Sequence, residues 1–459
     1  MDQPNILFYF TDQQRADTLG CYGQKLNISP SLDQLAMEGV LFENAFTAQP
    51  VCGPCRALLQ TGKYPTEIGC YRNAIALPDH IKTLADYMQE IGYETAYVGK
   101  WHLASTRKKC EDLPIEDYET KAIPPERRGG YRGFWRAADV LELTSHGYEG
   151  YVFDENMKKR KFTGYRVNRI TDFALEFLDS YRGKTPFFLT ISHIEPHYQK
   201  DRQGYEGPIG SKQKFQNYEL PEDLKILGGD AREMYPDYLG CCQSLDDNLG
   251  RVIDKLKEKK IYENTIIIFT SAHGFHFKTR NQDIHMKRED NDKQSCHDAC
   301  LKVPLVIAGP GFKGGKKISD LVSTASLPKT ILAIAGVDVK SAMIGENLKD
   351  VADGKIEERK NCIFAQISES RIGRCIRTEH YFYSVYAPNS DGWSEGSSNY
   401  YEDDFLYDLK KDPYELNNLI SDVNYQSIRQ EMARELVEEM IKAGEAVPVI
   451  QHSLISRKD

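Results

Sequence analysis

The sequence lacks a long hydrophobic run, an excess of basic residues and a regular set of cysteines. No stretch approaches the roughly 20 consecutive apolar residues that a helix needs to cross a bilayer, so we expect no membrane partner. The formal net charge of -9 argues against nucleic acid as a partner, because nucleic-acid-binding proteins usually carry a basic face. The 11 cysteines are an odd number without regular spacing, which is typical of a reducing compartment and not of a disulfide-stabilised secreted domain.

Low-complexity tracts, internal repeats and a signal peptide are also absent. The segment NILFYFTD (5–12) already has the pattern of a core strand, where a signal peptide would have a charged and then an apolar segment. We therefore expect a cytoplasmic protein, or a periplasmic or secreted one whose leader has been removed. A chain of 459 residues is long enough for one large domain and a smaller one.

Five short apolar runs predict strands that are buried on both faces. They are NILFYFTD (5–12), YETAYVGKWH (93–102), PFFLTISHIEPH (186–197), TIIIFTSAHG (265–274) and VPLVIAGPG (303–311). Amphipathic helical patterns, such as those over 29–40 and 327–337, lie between them. Strands that alternate with helices predict an α/β domain over residues 1–355, with a large, mostly parallel sheet sandwiched by helices.

The pattern changes after about residue 355. Residues 356–459 predict a smaller α+β domain with short antiparallel strands and a closing helix over 425–444. The long polar segment 105–165 is interpreted as an inserted loop region that shapes a cleft.

Polar or ionisable residues stand at the carboxyl ends of four of the predicted strands. In open α/β sheets, ligands bind in the crevice outside these ends. The residues concerned are Asp12, Lys100, His102, His197 and His273. The sequence therefore predicts that they converge on one pocket.

The segment CGPCRALLQTG (52–62) contains the tetrapeptide of thioredoxin, Cys52 to Cys55. Thioredoxin-like proteins have a tryptophan before it, whereas Pro50 and Val51 stand here, and the flanking sequence lacks the thioredoxin pattern. A dithiol redox protein is therefore the weaker interpretation. Pro54 and the residues after it predict the first turn of a helix, whose N–H groups and dipole favour an anion.

The same segment resembles the signature of the type I sulfatases, which belong to the alkaline phosphatase-like superfamily. That signature is Cys-x-Pro-x-Arg followed after four residues by Thr-Gly, and here it comprises Cys52, Pro54, Arg56, Thr61 and Gly62. Six further stretches resemble the family in the same order, from NILFYFTDQQRADTLGCYG at the start to LYDLKKDPYELNNL near the end. The resemblance implies hydrolysis of a sulfate monoester, with carbohydrate sulfates as the favoured substrates.

The resemblance also implies a cofactor set and a role for each site residue. A maturation enzyme would convert Cys52 to formylglycine, and a divalent cation, Ca²⁺ with Mg²⁺ as the alternative, would activate a hydroxyl of its hydrated form. The implied ligands of the cation are Asp12, Gln13, His273 and position 52. The implied catalytic residues are Cys52, Arg56, Lys100 and Lys293 around the sulfate, His102 as the base and His197 as the acid for the leaving alcohol.

Some assignments are less specific. Lys287 is an alternative to Lys293 for the last lysine of the site. Lys100, His197 and Lys293 would also contact the substrate, and four further residues are predicted to line the cleft: Tyr71, Arg72, His276 and Arg280.

Position 272 departs from the family pattern. Relatives have aspartate as a metal ligand where this chain has Ala272, so one anionic ligand is missing. Two explanations are a deliberate inactivating substitution and a naturally degenerate pseudoenzyme, and the intact remaining motifs favour the first. Two alternatives to an active sulfatase remain open: a phosphonate or phosphodiester hydrolase of the same superfamily and, suggested by Ala272, a catalytically silent protein that binds sulfated glycans.

Overall fold

The computed structural model describes residues 3–107, 115–280, 293–338, 343–356 and 359–452. Every predicted site residue lies within these ranges except Lys287, which lies outside the described residues. Among the described residues, no helix is both long enough and apolar enough to cross a membrane.

The large sheet has eleven strands and contains all five predicted core strands. Its strands are β1 (Asn5–Thr11), β2 (Val40–Phe46), β3 (Glu94–Lys100), β4 (Phe134–Ala138), β5 (Glu149–Asp154), β6 (Lys159–Thr163), β7 (Phe187–Ser192), β8 (Thr265–Ser271), β9 (Lys302–Val303), β10 (Leu305–Ala308) and β11 (Lys316–Ser323). Their order is β11-β2-β10-β8-β1-β7-β3-β4-β5-β6, with β9 beside β2.

The centre of this sheet is parallel. Strand β1 runs parallel to β7 and β8, and β3 runs parallel to β7 and β4. Strand β10 is antiparallel to both of its neighbours, β8 and β2. The carboxyl ends of β1, β3, β7 and β8 therefore meet at one edge, as predicted for a mostly parallel sheet.

Helices cover both faces of the sheet. They are α1 (Pro30–Glu38), α2 (Cys52–Thr61), α3 (Leu84–Glu90), α4 (Leu141–Thr144), α5 (Arg166–Ser180), α6 (Ser211–Lys214), α7 (Glu222–Leu227), α8 (Ala231–Glu258), α9 (Asp298–Leu301), α10 (Leu327–Ile334), α11 (Leu348–Ala352) and α12 (Gln426–Lys442). Because successive strand residues point to opposite faces, Ile6 packs with α2, α3 and α10, whereas Leu7 packs with α1, α5 and α8. The predicted sandwich of a sheet between helices is confirmed.

The segment 105–165 differs from the loop region that its composition suggested. Strand β4 pairs with β3 inside the main sheet, and β5 and β6 extend the sheet as an antiparallel hairpin. Strand β6 reads KRKFT, and charged side chains of this kind protect an edge strand from pairing with another chain. The polar composition reflects an exposed sheet edge as well as loops.

A second sheet follows in the C-terminal part. Its strands are β12 (Cys362–Ile367), β13 (Gly373–Thr378), β14 (Tyr381–Tyr386), β15 (Tyr400–Asp408) and β16 (Val449–Gln451), in that order. Strands β12 to β15 are antiparallel, and α12 packs Leu436 and Met440 against the sheet. The predicted short strands and closing helix are thus present, while the domain boundary at residue 355 stays a prediction.

Candidate active site

The residues at the strand ends surround the sulfur of Cys52. Its Sγ lies 3.4 Å from Asp12 Oδ1, 3.5 Å from His273 Nε2 and 3.7 Å from His197 Nε2. Lys293 Nζ lies 3.0 Å from the same sulfur. The structure therefore brings together side chains that are up to 281 positions apart in the sequence, from Asp12 to Lys293.

Helix α2 places this sulfur at its first residue. The helix begins at Cys52 and ends before Gly62, whose left-handed conformation (φ 66°) lets its N–H bond to the Leu58 carbonyl. The N–H of Gly53, in the first turn, donates to Asn73 Oδ1 at 2.8 Å. The predicted helix start at position 52 agrees with the structure, and the positive end of the helix dipole faces the site.

Arg56 is held rigidly by groups on two strands. Its Nη1 donates to the Lys100 carbonyl at 2.8 Å and to Ser192 Oγ at 2.7 Å, while Nη2 lies 3.3 Å from Asp12 Oδ2. These contacts place its charge behind Asp12 and close to the helix start. Sequence reasoning did not identify Ser192, which is the last residue of a buried strand and carries no catalytic signature.

The Asp12 carboxylate has a different environment at each oxygen. Lys100 Nζ lies 2.9 Å from Oδ2, whereas Oδ1 faces His273 Nε2 at 3.3 Å. Burial alone would raise the pKa of this carboxyl, but the charge of Lys100, the hydrogen bond with His273 and the charge of Arg56 hold it well below its usual range. Asp12 is therefore ionised, with Oδ1 directed at the sulfur.

Main-chain carbonyls fix the orientation of two histidines. His273 Nδ1 lies 2.8 Å from the Gly274 carbonyl, and His197 Nδ1 lies 2.7 Å from the Tyr198 carbonyl. Because a carbonyl only accepts, Nδ1 of each ring carries a proton and Nε2 faces Cys52. Burial and the charge of Lys293 oppose protonation of His273, but hydrogen bonds with Asp12 and Cys52 raise its pKa and favour a second proton on Nε2. Burial and the charge of Lys293 lower the pKa of His197, and Lys293 Nζ donates to its Nε2 at 2.8 Å.

The two thiols of the tetrapeptide have opposite electrostatics. Burial and the charge of Asp12 oppose ionisation of Cys52, yet Lys100, Lys293 and a hydrogen bond with His102 bring its pKa well below the usual thiol value. Burial raises the pKa of Cys55 to about 12. Only Cys52 therefore has the environment of a reactive cysteine.

His102 and Gln13 adopt the left-handed backbone conformation that is uncommon for residues other than glycine. Their φ angles are 60° and 72°. The His102 N–H donates to the Asp139 carbonyl at 2.8 Å, which holds this residue just after the end of β3. The Gln13 amide oxygen accepts the Tyr198 N–H at 3.1 Å, so this predicted metal ligand is already hydrogen-bonded to the backbone.

Ala272 is fully buried beside Asp12. Its N–H donates to the Thr11 carbonyl at 3.0 Å, which places position 272 next to the end of β1. A methyl group offers no donor atom at this point. The carboxylate that the family pattern expects here is therefore missing from the lining of the site.

Glu142 is a site residue that sequence reasoning missed. Its Oε1 lies 3.1 Å from Lys100 Nζ, and nearby positive charge, that of Lys100 foremost, outweighs burial and lowers its pKa to about 2. Its Oε2 is buried without a hydrogen-bond partner among the described residues. Its position just after β4 could have identified it as a residue at a strand end. The polar composition of the segment, however, hid this strand from the sequence analysis.

The four predicted cleft residues lie outside this cluster of contacts. Tyr71 and Arg72 contact the loop before β15: Tyr71 Oη donates to the Ser394 carbonyl at 2.9 Å, and Arg72 Nε donates to the Trp393 carbonyl at 2.7 Å. The Arg72 guanidinium also lies 4.4 Å from the centroid of the Trp393 ring.

His276 and Arg280 follow β8 on the other side. His276 is fully buried and stacks on Phe275 with the ring centroids 6.4 Å apart. Arg280 donates to the carbonyls of Tyr414 and Glu415 at 3.0 and 2.9 Å, beside a charged cavity of about 250 Å³. These contacts join the catalytic domain to the C-terminal part, and contact of these four residues with substrate stays a prediction.

The mostly parallel sheet between helices is the arrangement of the alkaline phosphatase-like α/β fold. The crystal structure of the yidJ protein from Bacteroides fragilis has this fold: it superposes with a TM-score of 0.80 at 23% identity and covers 97% of each chain. Two family models and two related sequences then identify the family within this fold.

The family model described as Sulfatase matches residues 4–337, and the model described as N-sulphoglucosamine sulphohydrolase, C-terminal, matches residues 289–442. The uncharacterized sulfatase YidJ of Escherichia coli strain K12 is 29% identical, over 99% of this chain and 90% of its own length. An N-acetylglucosamine-6-O-sulfatase of Bacteroides thetaiotaomicron is 25% identical, over 95% of this chain and 86% of its own length. The chain belongs to the sulfatase family, which confirms the resemblance drawn from its motifs.

Proposed function

We propose that this sulfatase removes sulfate from a sulfated carbohydrate at the Cys52 site, after conversion of Cys52 to formylglycine. The observation that carries the proposal is the setting of position 52, at a helix N-terminus and between Asp12, His273 and Lys293. The similarity to an N-acetylglucosamine-6-O-sulfatase supports a sugar substrate.

Two of the predicted metal ligands fit a divalent cation beside position 52. Asp12 Oδ1 and His273 Nε2 face each other at 3.3 Å, and the Gly274 carbonyl keeps His273 Nε2 directed inward, where a cation would replace the proton between the two atoms. A cation there would acidify a hydroxyl of the hydrated formylglycine and withdraw charge from the sulfate oxygens. Calcium prefers six to eight oxygen ligands, so with Ala272 and an occupied Gln13 amide we expect weak calcium binding.

The chain's own cations form a cradle for the sulfate group. Lys100 and Lys293 both lie at the Cys52 site: Lys100 pairs with Asp12, and Lys293 donates to the sulfur itself. Arg56, fixed by the Lys100 carbonyl and Ser192, adds a third positive charge. Charges that are already in place need no reorganisation when the transition state forms, so electrostatic stabilisation of this kind is usually a large part of catalysis.

His197 and Lys293 together handle the proton of the leaving alcohol. The neutral His197 ring accepts from Lys293 at 2.8 Å, and its Nδ1 is bound to a carbonyl. The ammonium of Lys293 is therefore the proton source behind His197 Nε2, and the pair acts as the general acid. Formylglycine at position 52 would supply two hydroxyls in its hydrated form, one to take the sulfuryl group from the substrate and one to expel sulfate as the aldehyde returns, with His102 as the proposed base for the second.

The test is turnover on a panel of sulfated mono- and disaccharides, with conversion of Cys52 verified by intact mass. We expect sulfate release, which the Cys52→Ser variant loses and the Cys55→Ser variant retains, because Cys55 contacts Thr47 instead of the cluster. Faster turnover of aryl phosphate or phosphonate would contradict the proposal in favour of the related hydrolase. Saturable binding of a sulfated sugar by the converted protein without sulfate release would favour the silent binding protein.

A further inference from the structure

Three side-chain atoms of different chemistry form a small triangle within the site. Asp12 Oδ1 and His273 Nε2 are 3.3 Å apart, and Cys52 Sγ lies 3.4 Å from the first and 3.5 Å from the second. All three residues are buried. Across the described part of the chain, this is the one group of histidine, cysteine and acidic residues whose ligand atoms lie close enough together to share an ion.

The edges of this triangle match a tetrahedral zinc site. Zinc bonds to cysteine sulfur at about 2.3 Å, to histidine nitrogen at about 2.0–2.1 Å and to carboxylate oxygen at about 2.0–2.2 Å. At tetrahedral angles, bonds of these lengths place the ligand atoms roughly 3.4–3.6 Å from one another. The observed separations of 3.3, 3.4 and 3.5 Å agree with that geometry to within about 0.2 Å.

The groups behind the triangle also have the arrangement of a metal site. His273 Nδ1 is bound to the Gly274 carbonyl at 2.8 Å, which keeps Nε2 on the inner side, where it can bind an ion in place of a proton. Lys100 and Arg56 bind the outer oxygen of Asp12, at 2.9 and 3.3 Å. Partners of this kind orient ligands in metalloproteins and are nearly as important as the ligands themselves.

The donor set selects the ion. Sulfur, imidazole nitrogen and a single carboxylate oxygen suit zinc, whereas calcium needs six to eight oxygens. Ala272 adds no oxygen, and the Gln13 amide oxygen accepts the Tyr198 N–H. While Cys52 is still a thiol, hard oxygen donors are therefore too few for calcium.

We propose that the unconverted chain binds Zn²⁺ through Asp12 Oδ1, Cys52 Sγ and His273 Nε2, with a fourth position left for water or an anion. The sulfur binds as the thiolate, any proton on the sulfur or on His273 Nε2 passes to solvent as the zinc bonds form, and no oxidation is involved. The proposal uses the cluster of the proposed function but concerns the chain before conversion. Zinc in this position would shield the sulfur from reagents.

Cobalt(II) provides the test, because it occupies zinc sites and its spectrum reports the ligands. Protein produced without a maturation enzyme, with the thiol confirmed by intact mass, is titrated with Co²⁺. We expect one equivalent to give a sulfur-to-cobalt charge-transfer band and the visible bands of a tetrahedral ion. Zinc should remove them stoichiometrically, and a large excess of calcium should leave them in place.

Matched variants assign the sulfur. The Cys52→Ser variant should lose the charge-transfer band and the Cys55→Ser variant should keep it, since Cys55 lies three residues further along the same helix and outside the triangle. His273→Ala should weaken cobalt binding by at least about tenfold. An unchanged band in Cys52→Ser, or displacement of cobalt by calcium as readily as by zinc, would overturn the proposal. Sugar-sulfate turnover by converted protein is a separate measurement, so each proposal can fail without the other.

Discussion

Asp12 is the residue on which the geometry of the site depends. Its outer oxygen binds Lys100 and Arg56, and its inner oxygen faces Cys52 and His273. The family resemblance predicts a second carboxylate at position 272, where this chain has alanine, so the negative charge near the expected cation is left to a single residue. The site should therefore respond strongly to one added carboxylate.

The Ala272→Asp substitution adds that carboxylate. We expect calcium affinity of the converted protein to rise by about ten- to a hundredfold and calcium-dependent sulfate release to rise with it, because a missing anionic ligand is supplied. A calcium titration followed by thermal unfolding and by turnover measures both effects. Ala272→Asn is the matched control, since it adds the same volume without charge. Equal effects of Asp and Asn, or no gain from Asp, would contradict the prediction.

Individual site residues were predictable where they follow recognisable strands. Asp12, Lys100 and His273 stand at or just after the ends of buried apolar runs, and parallel strands carry such residues to one edge of the sheet. Glu142 was not predictable in this way, because the short strand before it lies in a polar segment. Contacts through carbonyls, such as that of His273 with Gly274, have no signature in the sequence.

Among the elements, α1 depends on a residue from another helix for its N-terminal cap. The Asp246 carboxylate of α8 accepts the Ser31 N–H at 2.9 Å and the Leu32 N–H at 2.8 Å. Burial raises the pKa of Asp246 to about 6 despite these hydrogen bonds. The contact between α1 and α8 on one face of the sheet is therefore sensitive to pH.

Asp246→Asn should remove this sensitivity. The folded chain binds the Asp246 proton more tightly than the unfolded chain, so the wild-type free energy of unfolding should fall as pH rises from about 4 to about 6. Since the pKa of Asp246 differs by roughly two units between the folded and unfolded chains, the wild type should lose on the order of 2–3 kcal/mol of unfolding free energy over this range, relative to the variant. Urea unfolding between pH 4 and 7 measures the difference, with Asp254→Asn, exposed on the same helix, as the control. If the unfolding free energies of wild type and Asp246→Asn changed in parallel with pH, the prediction would be contradicted.

The elements that were predicted well are those with strong periodic or apolar patterns. Strands β1, β3, β7 and β8 lie within their predicted runs, and α12 lies within the helix predicted over 425–444. Strands β4 to β6 were missed because β4 spans only five residues and the edge strand β6 is mostly charged. The antiparallel direction of β10 depends on its connection to β8, which the pattern of a single run does not specify.

At the scale of the whole molecule, the C-terminal sheet reaches the first turn of α2 through two residues. Glu369 accepts the Asn73 N–H at 2.9 Å, and Asn73 Oδ1 accepts the Gly53 N–H at 2.8 Å. Gly53 is the neighbour of Cys52. The smaller part of the protein is thereby connected to position 52. Among the described residues, the side chains that contact the Cys52 sulfur all come from the larger part.

Glu369→Ala tests whether this connection positions the nucleophile. Loss of the carboxylate frees Asn73, and a small displacement of α2 should lower kcat by about ten- to a hundredfold while KM changes little. The Asn73→Ala variant should have a similar effect, and the double variant should cost no more than the larger single effect, because both residues act through one path. Glu402→Ala is the matched control, since Glu402 bonds to Tyr386 and Tyr400 within its own sheet. Thermal unfolding of each variant separates a loss of folded protein from a change in kcat. Equal kcat values for Glu369→Ala and Glu402→Ala would show that the sheet stabilises the chain without positioning Cys52.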